Sequence, residues 1–286
     1  MKKWILWIVV IFMIISMITK INGDNKSFHK KNINPSKYID VSKYLVGVLD
    51  TTFGGVGYVV YNGVAGRNAW DYGNSIYVDK EGKIYVTGSS SRSGSNTDMV
   101  IWRYNSNGSL DTSFNGTGFV VHNNAAGGNG NDIGASIYVD KEVKIYVTGH
   151  SWDGSNYDMV IWRYNSNGSL DTSFNGTGIV DHHNAAGGDG WDEGNSIYVD
   201  KYGKIYVTGY SEKSNHNKDM VIWKYNSDGS LDTAFGGVGY VVHGNAAGGN
   251  LDDEGKSIYV DSIGRVYVTG YSWNDSNTDM VIWKYK

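Results

Sequence analysis

The stretch Ser136-Ile-Tyr-Val-Asp140, continued by Lys144-Ile-Tyr-Val-Thr-Gly149 and Asp158-Met-Val-Ile-Trp-Arg-Tyr-Asn165, decides the fold. It is written four times. Its tryptophan falls at Trp102, Trp162, Trp223 and Trp283, in steps of 60, 61 and 60 residues. Short apolar and aromatic runs alternate with Gly, Asn, Ser and Asp turns, the pattern of strands and hairpins. A period of this size sets the architecture before any local assignment is made.

Each copy offers four strand candidates. A is Ser-Ile-Tyr-Val-Asp (75–79, 136–140, 196–200, 257–261). B is Ile/Val-Tyr-Val-Thr-Gly (84–88, 145–149, 205–209, 266–270). C is Met-Val-Ile-Trp-Arg/Lys-Tyr (99–104, 159–164, 220–225, 280–285). D is the Gly-X-Val-Val stretch, as at 118–121. In strand C, Met99 and Ile101 point one way while Val100, Trp102 and Tyr104 point the other. Both faces are apolar, so each sheet needs cover on both sides. Four-stranded sheets packed around an axis provide it, which predicts an all-β, four-bladed β-propeller. The repeat region opens with a D-type strand, Gly57-Tyr-Val-Val60, and ends after A, B and C of the last copy. A ring closed by this N-terminal strand, completing the last blade, is expected. The alternative is an open arc that dimerises into eight blades; arrays of this kind need caps, and none is visible. A monomer is the primary expectation, with the dimer as the alternative.

The repeats occupy 49–286, as copies 49–109, 110–169, 170–230 and 231–286. Ahead of them, Lys2 and Lys3 precede an apolar run from Trp4 to Ile18. Fifteen residues is short for a membrane span and fits a secretory leader. Residues 1–23 are therefore expected to be a signal peptide or an N-terminal anchor, and 24–48 a linker. Either form implies export to the cell surface or medium. The chain has no Cys, which excludes disulfides and thiolate metal sites. Its net charge is −4, and −7 without 1–23, which carry Lys2, Lys3 and Lys20 but no acid. A mildly acidic chain without a basic stripe is a poor nucleic-acid binder.

The blocks Leu110-Asp-Thr-Ser-Phe-Asn-Gly-Thr-Gly, Ser-Ile-Tyr-Val-Asp-Lys, Lys-Ile-Tyr-Val-Thr-Gly and Asp-Met-Val-Ile-Trp-Arg-Tyr-Asn resemble the bacterial delta-60 repeat family. The A–B part is similar to NHL-type blades. The resemblance spans all four copies and implies an exported bacterial propeller in the cell envelope. It implies no activity, because fold does not name function.

Asp71, Asp132, Asp192 and Asp253 stand before strand A, and Asp98, Asp158, Asp219 and Asp279 before strand C. The first set would ring the channel mouth and could hold calcium; the competing reading has each acid tying loops through backbone N–H groups. No other cofactor is expected. His122, His182 and His243 share one register, with Tyr61 in the first copy, and lie too far apart for a common metal. His183 is read as lacking a third ligand. There is no Gly-X-Ser-X-Gly elbow and no His-Glu-X-X-His pair. Val143 stands where the other copies have Gly82, Gly203 and Gly264, so a left-handed turn there would be strained.

What does not repeat points to binding. Trp70 and Trp191 precede strand A, and Trp152 and Trp273 follow strand B, so all four fall on one face, with Tyr157, Tyr210 and Tyr271. Divergent loops on a constant scaffold are where binding residues sit, and aromatic rings stack on sugars or anchor proteins. The expectation is an exported, non-enzymatic binding module for carbohydrate or a surface protein. The alternatives are a polysaccharide lyase or hydrolase using the channel-mouth acids, and a structural spacer of the envelope.

Overall fold

A computed structural model describes residues 47–64, 70–91 and 96–286. The leader and nearly all of the linker expected at 1–23 and 24–48 lie outside the described residues. Leu49–Lys286 forms one compact unit. Its described residues hold fifteen strands and no helix.

The first sheet contains β1 (Asp71–Val78), β2 (Ile84–Ser91), β3 (Thr97–Tyr104) and β4 (Phe119–His122). The second contains β5 (Asp132–Val139), β6 (Ile145–Trp152), β7 (Tyr157–Tyr164) and β8 (Ile179–His182). The third contains β9 (Asp192–Val199), β10 (Ile205–Glu212), β11 (Lys218–Tyr225) and β12 (Tyr240–His243). The fourth has β13 (Asp253–Val260), β14 (Val266–Trp273) and β15 (Thr278–Tyr285). Each sheet is an antiparallel meander in chain order.

Strands A, B and C run about three residues beyond the apolar blocks, at the end carrying the B–C turn. The extension passes a bulge, as between Gly134 and Ser136. It depends on glycine in strand B: a Cβ on Gly149 would lie 1.8 Å from the Ile133 carbonyl oxygen. The repeated acids are thereby inside the sheets, Asp132 as the first residue of β5 and Asp158 as the second of β7. At the other end, the A–B hairpins close with a left-handed residue. Val143 occupies it at φ 60°, where Gly203 has 79°.

Sheets stack through their inner strands, β1 on β5, β5 on β9 and β9 on β13. Met99 and Ile101 of β3 and Ile137 and Val139 of β5 join one core, with Ile137 and Val139 at 5% and 2% exposure. A row of tyrosines follows the inner strands: Tyr77–Tyr138, Tyr138–Tyr198 and Tyr198–Tyr259 ring centroids lie 5.6, 5.6 and 5.9 Å apart. The outer connections are fixed by charge. Asp111 accepts from Lys83 Nζ at 2.6 Å and Arg103 Nε at 3.0 Å, and the Arg103 guanidinium lies 4.6 Å from the Phe114 ring.

The expected ring closure is absent. The fourth sheet has three strands, and 57–60 form none. Val60 is 82% exposed, and β1 and β13 do not pack on each other as successive inner strands do. The described repeats form an open row of blades. The joint that would close the ring is not made: Ile76 and Val78 of β1, whose counterparts fill each formed joint, stay 64% and 56% exposed.

Candidate functional site

The divergent aromatic residues are set by strand ends. Trp152 closes β6 and pairs with Tyr157, which opens β7. Their rings meet edge-to-face at 5.1 Å and 70°. Trp191 stands one residue before β9, on the next blade, and its ring lies 5.3 Å from Tyr157 at 87°. His150, two residues before Trp152 and so on the same face of β6, meets Tyr157 at 4.8 Å. Three of the seven candidates thus form one aromatic cluster across the joint of the second and third blades. Trp191 keeps 44% of its surface open to solvent.

Polar groups border this cluster. Asn131 Nδ2 donates to the Tyr157 hydroxyl at 3.1 Å, and His150 Nδ1 lies 3.7 Å from Glu193 Oε1. Burial holds the His150 imidazole below its usual pKa. Tyr210 is 2% exposed under the loops, with Lys218 Nζ 3.7 Å from its ring centre; burial, then the charge of Glu193, pushes its phenol far up. Tyr271 donates to Glu254, which also accepts from Asn195 Nδ2 at 2.9 Å and pairs with Lys256. Trp70, 72% exposed, and Trp273 make no ring contact among the described residues. Glu193 and Glu254 escaped the sequence reading. Their signal was there: one register reads Tyr72, Ile133, Glu193 and Glu254 in the four copies. This register lies next to the Asp that repeats in all four copies.

That Asp set is engaged locally. Asp132 accepts from the N–H groups of Asn124 and Ala125 at 3.0 and 3.3 Å, and Asp253 from Asn245 and Ala246 at 2.8 and 3.3 Å. Asp192 accepts from Asn184 N–H at 3.1 Å, and Asp71 from Gly63 N–H at 2.8 Å. Burial raises Asp132 and lifts Asp192 to about 7. Among the described residues, no three of the four bring ligand atoms within 4.8 Å of one another. Each carboxylate fastens the loop that enters its own strand.

His122 Nδ1 lies 2.9 Å from the Tyr164 hydroxyl of the next blade, and His182 Nδ1 lies 3.3 Å from that of Tyr225. Burial lowers both imidazoles to about 4. His183 departs from expectation. The pairing of β7 with β8 gathers Asp158, Asp181 and His183 with ligand atoms within 4.8 Å of one another, which is room for one divalent cation. Sequence spacing hid this group because the partners come from different strands. Burial and the charge of Asp153 push Asp158 up to about 6.

A cavity of about 660 Å³ opens at the opposite end, between the A–B hairpins of the second and third blades. Tyr138, Tyr198 and Tyr202 line it, with Asp140, Lys144 and Asp200. The tyrosine of strand A and the Asp that follows it repeat in every copy and read as strand and turn chemistry, whereas Tyr202 stands where the other copies have Glu81, Glu142 and Ile263. Only the packing of two hairpins side by side makes a cavity of them.

The family model described as "Domain of unknown function (DUF5122) beta-propeller" matches residues 81–114, 144–174 and 203–235. The model described as "Beta-propeller repeat" matches 56–93 and 246–276. Between them they touch all four copies. No curated protein matches the chain. Among solved structures, a fucose lectin from Kordia zhangzhouensis in complex with methyl-fucoside is 14% identical, with 59% of this chain and 96% of that chain covered and a TM-score of 0.33. The native arabinanase of Bacillus subtilis is 16% identical, covering 73% and 71%, with a TM-score of 0.40. A thermostable family-43 glycoside hydrolase is 12% identical, covering 82% and 75%, with a TM-score of 0.39. The expectation of a non-enzymatic protein is withdrawn on this finding: the similar structures include two enzymes beside a lectin, and the fold separates neither class. The chain belongs to the β-propeller repeat proteins.

Proposed function

We propose that the protein binds carbohydrate outside the cell, through the aromatic cluster of Trp152, Tyr157 and Trp191. One observation carries this reading. Three large rings from two blades meet edge-to-face while Trp191 stays 44% exposed, with Asn131, His150 and Glu193 at their border. An exposed indole offers an apolar plane to the C–H face of a sugar, and the adjacent amide, imidazole and carboxylate offer hydrogen bonds to its hydroxyls. The edge-to-face contacts hold the rings in place before a ligand arrives, which lowers the entropy cost of binding. Export rests on the apolar segment 4–18 behind Lys2 and Lys3.

The test is a panel of soluble poly- and oligosaccharides presented to the full chain. Trp191→Ala is expected to weaken binding at least tenfold, and Trp70→Ala to leave it unchanged. Equal binding by Trp191→Ala and the parent chain would sink the proposal. Reducing ends released from any panel member would show that binding serves turnover.

A second reading is favoured by the cavity of about 660 Å³ at the opposite end, with its tyrosine walls and charged rim. There the ligand would be a polar molecule held against the Tyr138 and Tyr198 rings, between the two A–B hairpins. Binding lost in Tyr198→Ala but kept in Trp191→Ala would select this reading.

A further inference from the structure

The three joints of the blade row show what every blade end is built to meet. At the first, a Cβ on Gly134 would lie 2.2 Å from Thr87 Oγ1 and 3.2 Å from Met99 Cγ; Gly194 meets Thr148 and Met159 in the same way, and Gly255 meets Thr208 and Met220. The thread between blades also repeats. Leu110, Leu170 and Leu231 bridge Tyr104, Tyr164 and Tyr225. The next residue, Asp111, Asp171 or Asp232, pairs with two cations: Lys83 and Arg103, Lys144 and Arg163, or Lys204 and Lys224.

Each half of this joint is present, unmatched, at one end of the row. At the start, among the described residues, a Cβ on Gly73 meets Val86 Cγ1 of its own sheet and nothing from another blade. Ile76 and Val78 are 64% and 56% exposed, where Ile137 and Val139 are 5% and 2%. At the finish, Met280 and Ile282 are 73% and 65% exposed, where their counterparts Met159 and Ile161 are fully buried. Among the described residues, β15 has no outer neighbour.

The connecting thread is divided between the ends in the same way. Leu49 is 63% exposed and, among the described residues, has no bridge to a tyrosine. Asp50 is exposed, and among the described residues its carboxylate accepts from Thr52 alone. The cations that would match it stand at the other end. Arg265 pairs with Asp261 in its own hairpin, and Lys284 rests over the Tyr267 ring. The N-terminal thread is already seated on the first blade: Gly54 N–H donates to the Asn107 carbonyl at 2.9 Å, as Asn115 N–H does to that of Asn167 at 2.7 Å. Residues 57–60 are thus presented beyond the first blade, at the place where β4 stands beyond the second.

We propose that a second copy of this chain closes the row. The fourth blade of each copy docks on the first blade of the other, and residues 57–60 of one copy become the missing outer strand beside β15 of its partner. A two-fold arrangement satisfies both gaps at once and leaves no edge open. The register follows from β3 and β4, where Trp102 pairs with Phe119 and Val100 with Val121. It places Tyr58 opposite Trp283 and Val60 opposite Val281. Asp50 then meets Arg265 and Lys284, a match of charge as well as of shape. The same apolar surface that is buried three times within the chain is buried twice more between copies.

The chain has no Cys, so introduced pairs report without interference. Val60 and Val281 would form a non-hydrogen-bonded antiparallel pair, with Cα atoms roughly 4.5 Å apart, within disulfide reach. The experiment takes the full chain in mild detergent, measures its mass by sedimentation, and oxidises a variant carrying Val60→Cys and Val281→Cys. The expected result is a particle of about 63 kDa, twice the 31.5 kDa of one chain, and a covalent dimer on a non-reducing gel. Ile282→Asp should give a folded monomer by circular dichroism and abolish the crosslink, because the side chain it replaces is exposed in the single copy. Asp50→Lys should weaken the dimer at least tenfold. A monomeric parent chain at about 10 μM would overturn the proposal, since copies at that concentration should associate. So would an internally crosslinked monomer, which would mean that each chain closes on itself, or a dimer that survives Ile282→Asp.

Discussion

The second and fourth blades share nearly the same sequence and have opposite surroundings. Met159 and Ile161 are fully buried, while Met280 and Ile282, in an identical Met-Val-Ile-Trp block, are 73% and 65% exposed. Asp171 lies between Lys144 and Arg163, whereas Asp50, at the same place in the repeat, meets neither kind of partner. A residue in a repeat array therefore has no stability contribution of its own. It contributes according to the neighbour that follows it, which is the nearest-neighbour logic of stacked units.

The comparison can be broken at several points. The largest effect is expected where a buried charge loses its partner. Asp171→Ala leaves the Arg163 guanidinium unpaired in a site where its side chain is 8% exposed, and should cost about 3 kcal/mol or more; Asp50→Ala in dilute, monomeric protein should cost about 0.5 kcal/mol at most. Urea unfolding of the two variants side by side makes the measurement. Equal losses would show that the paired and unpaired acids do the same work.

Packing gives the next difference. Met159→Ala opens a void in a fully buried position and should cost roughly 2–5 kcal/mol, while Met280→Ala in the dilute monomer should be near neutral. A large loss at Met280 under conditions where the protein is monomeric would mean that the fourth blade is covered within its own chain.

The histidines sharpen the same contrast by pH. His122 and His182 are held near 4 by burial, below their usual 6.5. The folded state binds fewer protons than the unfolded chain between these values. Their contribution is therefore present above pH 6.5 and is lost as pH falls towards 4. Asp192, held up at about 7, works in the other direction: what it contributes is present below about pH 4 and is lost as pH rises through 7. Replacing His122 and His182 by Tyr, the residue at 61 in the first copy, isolates the histidine part. The fall in melting temperature from pH 7 to pH 4.5 should be smaller in this double variant, and an unchanged fall would remove the histidines from the acid response.

The smallest effect expected is at the hairpins. Val143→Gly should raise stability by about 1 kcal/mol, because a β-branched residue at φ 60° carries strain that Gly203 at 79° does not. The gain is offset in part, since Val143 packs against the core of the first two blades. Gly203→Val should show the converse loss by calorimetry.

Part of the candidate site was legible in the chain and part was not. Trp152, Tyr157 and Trp191 stand out because they break the repeat. That they touch one another follows from a joint between blades, which no spacing reveals. His150 and Glu193 stand at registers that vary from copy to copy, and only their approach to 3.7 Å gives them a common role. The grouping of Asp158 with Asp181 and His183 has the same origin, since antiparallel pairing joins residues more than twenty positions apart.

The repeat by itself determined the strand pattern of the copies, the strand order within each sheet and the left-handed turn position that Val143 occupies. These depend on contacts within one copy or between adjacent copies, and such contacts recur with the period. Only the tertiary structure decided how the row ends, that Trp191 meets Tyr157, and where the cavity beside Tyr138 and Tyr198 opens. Those features depend on the angle at which one blade sits on the next. That angle is a sum over many side-chain contacts at each joint, and no single residue in the period encodes it.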